Sequence, residues 1–240
     1  ILMALSLPLF IFHQAQYGVI CLLTGSVGYS WISISNYLRY KLKGDLIMAI
    51  GSVFQVIAYI IFFLTWSYPK AFAGWLLFLI LTIIGERLNL TRFLPVSKKA
   101  FNEVYFWIGL LLLSSFLYHF GFKVVVGLSM VGLAQWLLRH DIVRVNLKRE
   151  GHYHFMGLAL LLAYLWLGVT GLLSMREMGN PYLYDAVLHS FFVGFVLSMI
   201  LAHAPIIFPG LLGIKTTPFH PVMYIWLAGL HASLVIRIYG

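Results

Sequence analysis

Apolar stretches of membrane-spanning length, separated by short polar connections, recur from one end of this chain to the other. They fall at about residues 12–35, 46–66, 71–88, 102–119, 124–138, 154–175, 183–204 and 219–237. A helix needs about 20 mostly apolar residues to cross the hydrocarbon layer of a bilayer, and most of these stretches approach that length. Charged residues make up 10% of the sequence and hydrophobic ones 62%, whereas a soluble domain carries roughly 25% charged residues. The expected fold is therefore all-α, a polytopic integral membrane helical bundle of about eight transmembrane helices with the lipid bilayer as its first partner. A single transmembrane domain over residues 1–240 accounts for the whole length. The chain opens on Ile1 without an initiator Met, a basic leader or a small-residue cleavage site, so its start reads as a truncation rather than a signal peptide. Ile1–Ile11, which contains Pro8, reads as the end of an upstream helix or as an interfacial piece.

Charge gives the spans a direction. The formal net charge of +9 does not point to nucleic acid, because the basic residues sit in the connections and not on a soluble face. Arg39, Lys41 and Lys43 mark the first connection, Arg87, Arg92, Lys98 and Lys99 the third, Arg139, Arg144, Lys148 and Arg149 the fifth, and Lys215 the seventh. These hold 12 of the 16 Lys and Arg residues, while the second, fourth and sixth connections hold only Lys70, Lys123 and Arg176. The positive-inside rule places the basic set in the cytoplasm, so the first helix runs inward and the C-terminus lies outside. Trp66, Tyr68, Tyr105, Trp107, Tyr182 and Tyr184, near span ends, read as an interfacial aromatic belt.

That orientation sorts the nine histidines by depth. His13, His119, His189 and His231 fall toward the outer face. His140, His152 and His154 flank the fifth connection, and His203 and His220 lie at the inner ends of the last two spans. An ionisable side chain inside a membrane segment is costly and usually faces the bundle interior as a ligand, relay or pathway residue. Haem iron takes a proximal imidazole and copper accepts several neutral ones, so His13, His119, His189 and His231 could hold either as a metal site. His189 and His203 are 14 residues apart. On a continuous α-helix that separation is ~21 Å of rise and within about 40° of one face, the spacing of two haems stacked across a membrane. Diheme cytochromes b carry such pairs on two facing helices, and no second pair lies within spans here. Pro205 and Pro209 are expected to break or bend the helix end after His203.

Other chemistries find no residues. The single Cys21 excludes an internal disulfide and any cysteine-based zinc or iron–sulfur site. There is no Glu-x-x-His pair for a carboxylate-bridged di-iron site, no His-Glu-x-x-His and no phosphate loop. No Ser-His-Asp or Cys-His set can be placed at one depth.

Three short motifs carry a resemblance. Phe12-His13-Gln14-Ala15-Gln16-Tyr17-Gly18 opens the first span, Ile84-Gly85-Glu86-Arg87 closes the third, and Leu188-His189-Ser190 is followed by Gly194 and Met199. In these the chain resembles the NnrS family, bacterial inner-membrane proteins described as binding haem and copper and linked to nitric oxide and denitrification. The resemblance runs over about residues 12–205, with His13, Gly85, Arg87 and His189 at matching places. It departs where the family continues to Gly-His-Thr-Gly and this chain has Ala202-His203-Ala204-Pro205, and it lacks the family's Pro after Arg87. What it implies is haem b with copper as a second group, redox or nitrogen-oxide chemistry in a membrane oxidoreductase or electron-transfer protein, a bacterial inner membrane, and other membrane or redox subunits as partners. Cofactor contacts would then come from His13, His189, His203, His231 and Arg87. Arg87, like Arg139 and Arg176, could pair a haem propionate bidentately or serve only topology. Asp185, four residues before His189, could accept its ring N–H. Two other classes stay open: a transporter or channel using its histidines as a proton relay near Gly25, Gly28 and Pro205, and a non-catalytic subunit of a respiratory complex.

Overall fold

The computed structural model describes residues 2–11, 14–117, 123–176, 180–213 and 219–239. Among these every regular element is helical. The helices are α1 (Leu2–Ile11), α2 (Ala15–Tyr40), α3 (Lys43–Thr65), α4 (Tyr68–Thr91), α5 (Lys98–Phe116), α6 (Lys123–His140), the single turn α7 (Val143–Asn146), α8 (His152–Ser174), α9 (Pro181–His189), α10 (Ser198–Leu212) and α11 (Val222–Tyr239). A π-helical stretch, Ser190–Leu197, joins α9 to α10 without a break, so the three form one rod. Each of the eight apolar stretches is a helix. Six, namely α2, α3, α4, α8, the α9–α10 rod and α11, are long and apolar enough to cross a membrane. Helices α5 and α6 are the more polar exceptions, with Lys98, Lys99, Asn102 and Glu103 in one and Lys123, Gln135 and Arg139 in the other. The chain gathers into two compact units, Ile1–Pro95 and Val96–Gly240.

Local chemistry sets the helix ends. Helix α2 stops where Lys41 turns left-handed (φ 53°) and returns its N–H to Tyr37 O. Helix α3 starts two residues later, so the two form an antiparallel hairpin. Ser97 caps α5 by accepting from the Ala100 N–H, and Asn180 caps α9 from Tyr182 N with Pro181 in the first turn, where a missing N–H costs nothing. The expected break at Pro205 and Pro209 does not occur: α10 runs through both to Leu212 and ends at Gly213 in the left-handed region. Each proline removes one backbone donor while keeping a helical φ, and Gly213 supplies the stop.

In the first unit, α3 and α4 approach as closely as backbones allow. Gly44, Gly51 and Ala58 recur every seven residues along one face of α3 and oppose Asn89, Leu81 and Gly74 of α4. A Cβ at Gly44 would lie 2.3 Å from Gly85 O, and one at Gly85 2.6 Å from Gly44 O. Small residues are what let membrane helices pack this tightly. At the end of this seam Asn89 Nδ2 donates to Asp45 Oδ1 at 2.6 Å. Helix α1 lies along α2, with Met3 filling the space at Gly25.

In the second unit α5, α6 and α8 pack in succession. Gly132 of α6 receives the flat face of Trp107, and Gly127 meets Gly171 backbone to backbone between α6 and α8. Trp136, fully buried, donates its indole N–H to Ala100 O at 2.7 Å. Tyr164, also fully buried, donates to the carboxylate of Asp141 at 2.6 Å.

Candidate functional site

The chemistry-bearing residues of the second unit converge on the rod α9–α10 and the helices beside it, α8 and α11. Buried positions along the rod fall at Ala186 and Val187, Ser190 and Phe191, Gly194 and Phe195, Ser198 and Met199, then Ala202. Through the π-helical stretch they recur every four residues, as its wider i→i+5 bonding requires, whereas in α10 the buried Pro205 follows Ala202 after three. That stretch turns less per residue than an α-helix, so His189 and His203 do not keep the offset of a continuous α-helix.

The π-helical stretch fits around one side chain. A Cβ at Gly194 would lie 2.5 Å from Trp166 Cγ, so only glycine lets the rod seat against this indole. The Trp166 N–H, pointing the other way, donates to His231 Nδ1 of α11 at 2.8 Å. With Nδ1 accepting, a neutral His231 ring carries its proton on Nε2, which faces Ser198 Oγ at 3.5 Å. Alongside, Thr170 bonds Ser190 Oγ at 3.0 Å and Trp166 O at 2.8 Å. The result is a polar seam between α8, the rod and α11.

His189 is held differently. Its Nδ1 lies 2.9 Å from Asp185 O, one turn back, and 3.3 Å from Asp185 Oδ1. Asp185 Oδ2 in turn pairs with Arg237 of α11 at 3.0 Å. Both acceptors call for a proton on Nδ1, which leaves the ring's lone pair on Nε2. A cleft of about 690 Å³ opens beside this tether, lined by Tyr182, Tyr184, Asp185, Leu188, Arg237 and Tyr239 among others but not by His189 itself. His203 repeats the local motif, its Nδ1 lying 2.6 Å from Met199 O. His154 is bonded through Nδ1 to the Tyr224 hydroxyl at 3.0 Å.

The expected site residues are thus distributed rather than gathered. His189, His203 and His231 all belong to the second unit, but among the described residues no three His, Cys, Asp or Glu side chains form a metal-holding group. His13 and His119 lie outside the described residues. Arg87 belongs to the first unit, where it is 1% exposed and meets Glu86 Oε1 at 2.9 Å. The sequence pointed to Asp185 beside His189 but not to Arg237, Trp166 or Ser198. Trp166 carried a signal all the same, since it stands mid-span, away from the interfacial belt where Trp66 and Trp107 were placed.

Among the described residues, fold and site together define an all-helical protein with six helices long and apolar enough to cross a membrane and histidine-bearing polar contacts within them. The chain belongs to the family described as Domain of unknown function (DUF8744), whose model matches residues 2–240. No curated protein and no solved structure matches it.

Proposed function

We propose that this chain is an integral protein of a bacterial cytoplasmic membrane, spanning it with eight helices, its basic connections inside and its C-terminus outside. In it His189 ligates a haem of b type, for redox or nitrogen-oxide chemistry of the kind the NnrS resemblance implies. The observation that carries this reading is the Arg237–Asp185–His189 tether. Ligating histidines characteristically donate their second ring N–H to a carbonyl or carboxylate, which fixes the ring and raises its basicity. His189 has both kinds of acceptor at Nδ1 and keeps its Nε2 lone pair for iron. Asp185 and the neighbouring Leu188 line a cleft whose volume falls in the range of about 300–1,000 Å³ used for small-molecule and cofactor sites. Bound there, haem would supply one-electron and ligand-binding chemistry, while the protein's part is to fix the imidazole and set its basicity.

His231 fits a different role. Ligation through Nε2 would move its proton to Nδ1, against the Trp166 N–H, so two donors would face each other at 2.8 Å. Its assignment here is to hold α11 in place. Arg87 would reach a propionate while one of its five donors stays on Glu86. Copper belongs to this proposal through His13 and His119. Pyridine-haemochrome and metal analysis of the purified chain tests the whole reading. Haem in the wild type and its loss in His189→Ala are the expected results; a preparation with no Soret band and no iron or copper would sink it.

A second reading draws on the Trp166–His231 and His154–Tyr224 bonds, in which histidines are satisfied within the protein. Under it the chain is a non-catalytic membrane subunit whose histidines hold helices together. Isolation with partner polypeptides and no cofactor would favour it.

A further inference from the structure

Within the first unit, four buried polar atoms on three helices lack a hydrogen-bond partner among the described residues: Ser30 Oγ on α2, Gln55 Oε1 on α3, and Trp75 Nε1 and Thr82 Oγ1 on α4. Ser30 and Gln55 are 8% and 7% exposed. Gln55 already bonds Tyr59 through its side chain, so the unpartnered oxygen is its remaining acceptor. The register of the α3–α4 seam sets their levels. Gly51 opposite Leu81 and Ala58 opposite Gly74 place Gln55 between Thr82 and Trp75. Across the α2–α3 hairpin, Ser30 lies about as far from the connection as Gln55, and its neighbour Tyr29 meets Phe78 of α4 edge-on at 5.9 Å. At ~1.5 Å of rise per residue the four atoms fall within roughly one and a half to two helical turns, halfway along the helices.

Groups like these are rarely left unpaired in native proteins, and in hydrocarbon an unmet donor or acceptor is especially costly. Their chemistry selects the occupant. Trp75 is a donor only, Gln55 Oε1 an acceptor only, and the two hydroxyls act as both. The charged residues of these helices all lie near the helix ends, at Arg39, Lys43, Asp45, Lys70, Glu86 and Arg87. An ion would therefore find no counter-charge at this level. Buried water typically makes about three hydrogen bonds to such otherwise unmet groups. We propose that α2, α3 and α4 bind a short file of water at mid-depth, bridging Ser30, Gln55, Thr82 and Trp75. The site is independent of the haem reading and of the second unit.

Radiolytic footprinting of the full chain in lipid nanodiscs and H₂¹⁸O tests it, because bound water activated in place transfers its oxygen to the adjacent side chain. Trp75 is expected to take up ¹⁸O several-fold faster than Trp136, which is buried with its N–H bonded to a carbonyl. Equal and negligible labelling of the two overturns the proposal. Thr82→Val supplies a readout of opposite sign for the two cases. If the hydroxyl holds water, the variant melts lower and Trp75 labelling falls; if the hydroxyl is merely buried, removing it raises the melting temperature, and the proposal fails.

Discussion

Helix α11 should depend on the Trp166–His231 contact to a degree that can be measured. Of its 18 residues only Leu227 and Leu234 are buried, each 2% exposed, and His231 lies between them on the same stripe. The Trp166–His231 bond therefore joins the His154–Tyr224 bond and the Arg237–Asp185 pair in docking α11 against α8 and the rod. Replacing His231 with Leu keeps most of the apolar contact and leaves the Trp166 N–H unmet at a site where the indole is only 8% exposed. An orphaned buried donor costs about 1–3 kcal/mol. Trp166→Phe removes the donor and also opens a gap against Gly194, so its own cost includes lost packing and says little by itself. A double-mutant cycle over wild type, His231→Leu, Trp166→Phe and the double variant isolates the bond. Side-chain hydrogen bonds between membrane helices measured this way average about 0.6 kcal/mol and reach about 1.7. The 2.8 Å distance and the burial of the indole place this one in the upper half of that range, about 1 kcal/mol or more. Reversible unfolding in mixed micelles, followed by tryptophan-independent circular dichroism, gives the four free energies. A coupling within about 0.3 kcal/mol of zero, the scatter of independent sites, would refute the clamp and with it the argument that His231 is occupied as an acceptor.

Two further substitutions test the packing. Gly44→Ala or Gly85→Ala forces a methyl into backbone of the facing helix, so each should destabilise by about 1–3 kcal/mol and the pair should be non-additive. Gly28→Ala and Gly229→Ala, where nothing lies within 4 Å, should be neutral or slightly stabilising in the same unfolding assay. Tyr164→Phe removes a fully buried hydroxyl bonded to Asp141 and should cost about 1–3 kcal/mol by chemical denaturation; an unchanged midpoint would show that the carboxylate is satisfied without it.

The spans were legible because hydrophobic length is a local property, and each of the eight apolar stretches is a helix. Their ends were less so. A proline is expected to interrupt a helix, yet Pro205 and Pro209 sit inside α10, because the element ends where a left-handed residue is available and not where a donor is lost. Interfaces were legible only in hindsight. The glycines of α3, α4, α6 and α8 stand out in composition, but which of them face a neighbour depends on register: Gly44 and Gly85 touch, while Gly28 and Gly109 touch nothing.

The candidate site shows most clearly what a sequence of this kind hides. In a soluble helix the polar face reports the helical period, so a change of period can be read off the pattern. The segment Phe191-Phe192-Val193-Gly194-Phe195 is apolar on every side, and lipid and protein interior select for the same residues, so its four-residue burial period leaves no trace in hydropathy. Counting 100° per residue through it assumes one uninterrupted α-helix between His189 and His203, which the π-helical stretch breaks. The same blindness applies to the imidazoles. Depth put His189 and His231 in one outer set, but their chemistry is decided by which nitrogen is already engaged, and the partners sit four residues away for His189 and sixty-five for His231. Asp185 could be found by looking one helical turn back; Trp166 could not be found from the neighbourhood of His231 at all. One histidine is thus set up to give its Nε2 lone pair and the other to keep its proton there, a distinction that separates a ligand from a clamp and makes His189, tethered through Asp185 to Arg237, the residue on which the haem reading stands.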